Sequence, residues 1–300
     1  MRLKEIHSSD LTASCQRYVQ LRFQKKTRPV ATTALFRGLV AGEAARLVHE
    51  RHLHGNGEPP ALYTPLATEA VSIVRKTLDS EGRQLSETVE RDIQEITTDM
   101  ASLMENYVRR FGDRFNRCKL LGCEVPVRWK WEKRMPEFAS HIDLLLTDPW
   151  GRIVFVDWKL RDTSPTHQYL ARNMQFACYW AALMRGEVML SDGLTTAWQS
   201  VKSNALGVWF HLGHVMPFGR KTTVEDDKGM TREFQKGEDR PLRMAWREIE
   251  YPDTSVDAVV ADLRTRARMI QRDVFPANPD PTGCAICEAE QFCARYDTVL

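Results

Sequence analysis

The residues with the plainest chemical purpose lie between His141 and Tyr179, in the stretch HIDLLLTDPWGRIVFVDWKLRDTSPTHQYLARNMQFACY. Asp157 and Lys159 stand two apart in an apolar run. On a strand, both side chains then take the same face. Asp143 sits in the preceding apolar run and can reach that face from the neighbouring strand. Two carboxylates and one ammonium therefore converge at one end of a mostly apolar hairpin. Charges in such surroundings are costly to bury and need a reason. One reason is a salt bridge between Lys159 and either Asp, at an edge facing water. The other is a metal site, because a hard divalent cation takes carboxylate oxygens and keeps some of its water. A lysine beside that water can orient it or offset charge developing on a phosphate. On these three residues alone the salt bridge is the better reading.

The element that must position them is a hairpin. His141 to Thr147 reads as a strand, with Ile142, Leu144 and Leu146 sharing one face. Asp148-Pro149-Trp150-Gly151 reads as a type I turn, with Asp at its first position, Pro at its second and Gly at its fourth. Arg152 to Leu160 then pairs back. Further on, Gln175 and Tyr179 are four apart and share a helix face.

An Asp, a turn, Asp-x-Lys on the next strand and Gln-x-x-x-Tyr on a helix together resemble the PD-(D/E)XK nuclease superfamily. The helical part resembles its RecB-like branch, which includes the CRISPR-adaptation exonucleases. The resemblance implies an α/β fold, a mixed central β-sheet flanked by helices with a restriction-endonuclease-like core. It implies metal-dependent hydrolysis of DNA phosphodiesters by an exonuclease. Asp143, Asp157 and the backbone carbonyl of Trp158 would bind Mg²⁺ or Mn²⁺. Lys159 would position the attacking water or offset phosphate charge. Gln175 and Tyr179 would hold DNA or support Lys159.

The helix ahead of this hairpin departs from the family. Thr32 or Thr33 caps a helix of about two dozen residues, with Phe36, Leu39, Val40, Glu43 and Leu47 on one face. The resembling proteins carry a histidine or an acid there, four residues after a glycine. Counting from Gly38 reaches Gly42 instead. Glu43 is expected to complete the metal shell, with His49, on another face, as the second candidate. A Glu43 paired with Arg46 or Arg37 at a half-exposed surface is an equal alternative. Glu124, on a strand read over Cys123 to Trp131, is a further candidate to support the metal.

Seven cysteines without a secretory leader argue against a disulfide framework. Cys284, Cys287 and Cys293 form C-x2-C-x5-C, most of a metal or cluster site that needs a fourth ligand. Candidates for that ligand are Cys15, Cys118, Cys123 and Cys178, of which Cys15 is chosen. This arrangement resembles the iron–sulfur members of the same branch, where one N-terminal cysteine joins three C-terminal ones around a 4Fe–4S cluster. Four-cysteine zinc is the alternative. Cys118, Cys123 and Cys178 are expected to be ordinary buried cysteines.

The whole chain, 1–300, is expected to form one nuclease domain. Residues 80–117 would be a helical insertion without chemistry, and 1–25 with 276–297 an iron–sulfur lobe joining the termini. Ser86 to Phe115 carries a helical stripe of Val89, Ile93, Ile96, Met100, Leu103 and Tyr107, ending in a basic run of Arg109, Arg110, Arg114, Arg117 and Lys119. That run is a solvated face or a DNA-backbone contact. His54 to Pro65 reads as a loop and Phe218 to Arg240 as a long mobile one. Ala205 to His214 and Leu242 to Glu250 read as strands, and Pro252 to Phe275 as an amphipathic helix.

Composition, with 43% hydrophobic and 27% charged residues, is that of a globular protein. The sequence holds no apolar run of membrane-spanning length and no apolar leader, so a cytoplasmic location is expected. A net charge of +2 does not announce nucleic acid, so any basic surface must be local. The expected partner is DNA, as linear or single-stranded ends, with a possible recombination protein and a phage or bacterial origin. The rival functions are a catalytically silent DNA-binding subunit of a helicase or integration complex, and an iron–sulfur redox protein.

Overall fold

The computed structural model describes residues 5–7, 19, 30–55, 63–130, 135, 137–160, 173–191, 195–201, 205–212, 221–225, 231–236, 244–250 and 253–272. Cys15, Cys284, Cys287 and Cys293 lie outside them.

Strands β4 (Lys119–Trp129), β5 (Glu137–Thr147) and β6 (Ile153–Leu160) form an antiparallel meander at the centre of a mixed sheet. On one side the sheet continues through β9 (Ala205–Leu212), parallel to β6, and β12 (Met244–Glu250), antiparallel to β9. On the other it continues through β7 (Glu187–Ser191) and β8 (Thr196–Gln199). Short β1 (Glu5–His7) joins the start of β5 in parallel, and the two-residue strands β2 (Val30–Ala31) and β3 (Gln84–Leu85) pair with each other in parallel, apart from the main sheet.

Helices cover both faces, and each face has its own core. α1 (Thr33–Val48), α2 (Thr64–Ser80) and α3 (Glu87–Asn116) pack on one, against Leu144, Leu146, Val154, Val156 and Trp158. α4 (Met174–Arg185) and α5 (Asp253–Gln271) pack on the other, against Val125, Val127, Phe138, Ile142, Leu145 and Phe155. β6 is buried on both faces, which is why it reads as a continuous apolar run.

Local sequence accounts for the boundaries. Thr32 caps α1 by accepting the Leu35 N–H at 3.3 Å, and Ser86 caps α3 through Val89 at 3.3 Å. α1 runs on into a π-helical turn, His49–Leu53, so the expected length is made up of two helical types. The turn between β5 and β6 closes with Gly151 N–H to the Asp148 carbonyl at 3.0 Å, and Gly151 takes φ +81. The Asp148 carboxylate accepts the N–H groups of Trp150 and Arg152 as well.

Several expectations need correction. Pro65 does not end a loop. It lies in the first turn of α2, where its missing N–H costs nothing, and α2 buries Leu66, Ala70, Val74 and Leu78. Residues 218–240 are not all loop, because β10 (Thr222–Glu225) and β11 (Thr231–Phe234) pair as a hairpin within them. β7 and β8 were absent from the sequence reading. β4 spans Lys119–Trp129 rather than Cys123 to Trp131. Leu39 is 41% exposed, at the edge of the stripe that buries Phe36, Val40 and Leu47.

The most consequential correction concerns β5. Ile142 does not share a face with Leu144 and Leu146, but packs under α4 and α5 while they pack under α1 to α3. The alternation reverses at Asp143. It also reverses in β4, where Cys123 and Val125 belong to opposite cores. Between those two, Glu124 takes φ +47, a left-handed conformation costing a non-glycine residue roughly 1–3 kcal/mol. The paired ladder runs Cys123 with Leu144, then Val125 with Ile142, and passes over Glu124 and Asp143. The kinks are thus opposite each other, and each holds an acid.

Candidate active site

β5 and β6 part company where the acids sit. Their ladder runs from Thr147 and Ile153 to Leu144 and Val156, and there it stops. β1 takes the same edge of β5 again at Glu137 to Ala139. Between them lies the segment Ser140 to Asp143. With no strand carbonyl in place, the Asp143 carboxylate accepts the Trp158 backbone N–H at 2.8 Å.

Asp157 is fully buried and faces the α4 side of the sheet. Lys159 shares that face, as strand alternation requires, and its Nζ lies 2.8 Å from Asp157 Oδ1 and 2.7 Å from Oδ2. The expected salt bridge therefore exists, with Asp157 buried and Lys159 only partly exposed rather than both at a watery edge. Asp143 is held well above the usual carboxylate range, first by the packing around it and then by the charge of Asp157.

Two more acids approach from other elements. Glu124 is pushed up by the atoms around it and then by the charge of Glu43, with Asp157 adding to the push. Glu43 on α1 is bound by Arg46 at 2.9 and 2.5 Å, and Arg46 also binds Glu50. The alternative pairing of Glu43 with Arg46 is thus present. Arg37 is engaged elsewhere, with Asp99 at 2.8 Å. Glu124 thus feels the charges of Glu43 and Asp157, and Asp143 those of Asp157 and Glu124, with Lys159 and Arg46 as the cations set against them.

Gln175 and Tyr179 share a face of α4, and Gln175 Nε2 donates to the Tyr179 hydroxyl at 2.7 Å. Tyr179 is buried and its hydroxyl also meets Ser140, in the segment of β5 that pairs with β4 but with neither β6 nor β1. Burial, then the charges of Asp157 and Asp143, raise its pKa well above the ordinary value. The Gln–Tyr pair therefore stands on the α4 side of the acids.

His49 is not beside Asp157 and Lys159. It is fully buried on the α1 to α3 side, with Nε2 2.7 Å from the Tyr107 hydroxyl. The Trp158 indole N–H donates to the same hydroxyl at 3.2 Å. The direction of the His49–Tyr107 hydrogen bond follows from which ring nitrogen carries the proton. Burial, then the charge of His54, holds His49 well below its ordinary pKa, which agrees with a neutral ring. Tyr107 was read in the sequence only as one member of an apolar stripe. Its hydroxyl is the signal that distinguishes it, since a buried phenol needs a partner. α3 thereby touches the residue between Asp157 and Lys159.

Cys118, Cys123 and Cys178 are free thiols. Cys178 is buried, and burial pushes Cys123 up to about 12, so neither is a ready nucleophile.

The carboxylates suit a hard divalent cation. Asp143 and Asp157 are oxygen donors of the kind such a cation takes, and among the described residues no three His, Cys, Asp or Glu side chains are grouped closely enough to hold a metal ion. Comparison with known proteins agrees with that chemistry. No curated protein matches the chain. A solved structure described as "Crystal structure of SSO0001" matches at 12% identity over 97% of this chain and 85% of that one, with a TM-score of 0.41. That likeness is too distant to assign residues from. Residues 11–294, however, match the model of the PD-(D/E)XK nuclease superfamily, and by a match running nearly end to end the protein belongs to that superfamily.

Proposed function

We propose that the protein is a metal-dependent DNA exonuclease of the RecB-like kind, hydrolysing phosphodiester bonds with Mg²⁺ or Mn²⁺. The observation that carries this is the parted hairpin, where Asp143 and Asp157 sense each other's charge beside Lys159, with Tyr179 close by on α4. A bound cation would polarise the phosphate and lower the pKa of its water. Asp143, Asp157 and the Trp158 carbonyl would hold that cation, with Glu43 or Glu124 completing the set. Asp143 keeps its orientation through the Trp158 N–H. Lys159, freed from part of its attachment to Asp157, orients the attacking water and offsets charge on the phosphate oxygens. Gln175 and Tyr179 hold the strand or keep Lys159 in place.

The resemblance in the cysteines supports a 4Fe–4S cluster held by Cys15, Cys284, Cys287 and Cys293. The same resemblance supports work on linear or single-stranded DNA ends, in recombination, repair or end processing, in the cytoplasm. No helix among the described residues is long and apolar enough to cross a membrane.

The test is to incubate anaerobically purified protein with end-labelled linear DNA and Mn²⁺, with and without EDTA. Mononucleotides or short products released from the ends, and lost with EDTA, are expected. Intact DNA under all conditions would leave a silent DNA-binding subunit.

A further inference from the structure

The basic run at the end of α3 has a definite place in the fold. Asn106, Arg109 and Arg110 line a cleft of about 390 Å³ together with Met244, the first residue of β12. That volume is within the roughly 300–1,000 Å³ of ordinary ligand clefts. Met244 is level with Leu212 of β9, and Leu212 with Leu160 of β6. Leu160 follows Lys159. The cleft therefore opens at the same end of the sheet as the acidic site, two strands across and on the α1–α3 face, while Asp157 and Lys159 take the α4 face. Tyr107 spans the interval, one turn or less before the two arginines on α3, with its hydroxyl on Trp158.

The cleft's chemistry is that of an anion site. Its described polar lining is two exposed guanidinium groups and one neutral amide. Arg109 is held by the Asn106 side-chain oxygen, a neutral partner that positions the fork without cancelling its charge. Arg110 lies over the Phe111 ring, 5.6 Å from its centroid. Farther along α3, Arg114 is committed differently: it stacks on Trp246 at 3.9 Å and pairs with Glu248 at 2.5 Å. The basic run thus divides into a structural arginine and two that line a cleft.

We propose that Arg109 and Arg110 form a subsite for backbone phosphates of the DNA strand that enters the acidic cleft. This rests on the nuclease reading and adds to it a path for the strand, over the α3 end of β6, β9 and β12. Guanidinium groups take phosphate oxygens in bidentate fashion, which positions a strand without reading its sequence. The subsite would bind phosphates away from the scissile position, where the strand passes round the shared end of the sheet, and set affinity, leaving the chemical step to the acids.

The experiment measures binding of a short fluorescent single-stranded DNA in EDTA across a range of salt concentrations, with cleavage in Mn²⁺ alongside. The variants are Arg109→Ala/Arg110→Ala, Arg109→Lys/Arg110→Lys and Arg91→Ala. Arg91 lies on the same helix, about 27 Å away by helical rise, and pairs with Asp92. The double Ala variant should lower the slope of log K against log salt by about 1.4, as expected for two lost phosphate contacts on a single strand. Its KM should rise with kcat kept. The double Lys variant should keep most of the slope, and Arg91→Ala all of it. Wild-type cleavage together with an unchanged slope in the double Ala variant overturns the subsite alone. Wild-type protein that neither binds nor cuts overturns the nuclease reading, and the subsite with it.

Discussion

The carboxylate of Asp143 accepts the backbone N–H of Trp158, at 2.8 Å, where a strand carbonyl would ordinarily stand. One acid thereby holds the peptide that separates the two other charged residues, Asp157 and Lys159. The arrangement exists because β5 kinks at Asp143 and β4 kinks opposite, at Glu124. A regular ladder would have turned Asp143 toward one core or the other. The kink leaves its carboxylate near the plane of the sheet edge, between β5 and β6.

Asp157→Asn and Lys159→Ala should each lower cleavage by roughly 100-fold or more, since each removes a group acting on the reacting phosphate or its water. Near-normal thermal unfolding should accompany the loss in the Asp157 variant, because an amide of the same shape fills the buried site. Cleavage of end-labelled DNA and circular dichroism melting measure the two. Wild-type rates in either variant would remove the proposed site.

Asp143 supplies a pH-dependent prediction. Its folded pKa is raised above the unfolded value, so across that window the folded state holds the extra proton. Stability from this group then falls as pH rises through the window, since stability rises with pH only where the unfolded chain binds more protons. Metal-free Asp143→Asn should match wild type in acid and melt about 2–4 °C higher at alkaline pH, equivalent to about 1 kcal/mol. Adding Mn²⁺ should raise the wild-type melting temperature and leave the variant's alone. A variant less stable than wild type at alkaline pH without metal would contradict the crowding of charge at Asp143.

Much of this was legible in the sequence, and the failures have physical causes. The hairpin, its turn, the Asp-x-Lys face and the Gln–Tyr helix face all follow from local rules of alternation and helical spacing. The reversal at Asp143 does not, because it depends on Glu124, some twenty residues away in sequence, adopting a left-handed backbone. α2 was hidden by Pro65, which marks a loop in one context and a helix start in another. Tyr107 looked like core because most aromatics in a helical stripe are core. Only its hydroxyl, and the partners folding brings to it, set it apart.

Glu43, Tyr107 and His49 separate the metal shell from its scaffold. Glu43→Ala should weaken Mn²⁺ binding, by isothermal titration, because it removes an oxygen donor and frees Arg46 to repel the cation. His49→Ala should leave Mn²⁺ affinity near wild type but lower the melting temperature, since His49 is buried against Tyr107, Phe115 and Trp158. Tyr107→Phe keeps the ring and strips the hydroxyl, leaving the Trp158 N–H and His49 Nε2 without it, at a cost of about 1–3 kcal/mol. A fall in kcat with unchanged KM would show that the hydroxyl keeps the Asp157–Lys159 segment in register. Loss of Mn²⁺ affinity confined to the His49 variant would assign the metal to the opposite face of the helix.

The cysteines test the architecture as well as a cofactor. Cys15 is separated from Cys284 by nearly the whole chain, so no local propensity brings them together. If they share one cluster, the two ends of the chain must meet. Cys15→Ala should then remove iron as completely as Cys284→Ala, Cys287→Ala or Cys293→Ala. Each should also lower the melting temperature, because metal binding contributes to folding free energy and three thiolates would be left without their ion. Cys118→Ala, Cys123→Ala and Cys178→Ala should keep the cluster. Two of these have surroundings that explain it: Cys178 is packed beneath the sheet among apolar neighbours, and Cys123 has a thiol that burial holds protonated at neutral pH. The readout is broad visible absorption with iron and sulfide content after anaerobic purification. Zinc without iron would favour a structural zinc site on the same four residues. Iron retained in the Cys15 variant, and lost instead with Cys118 or Cys123, would break the proposed closure of the chain.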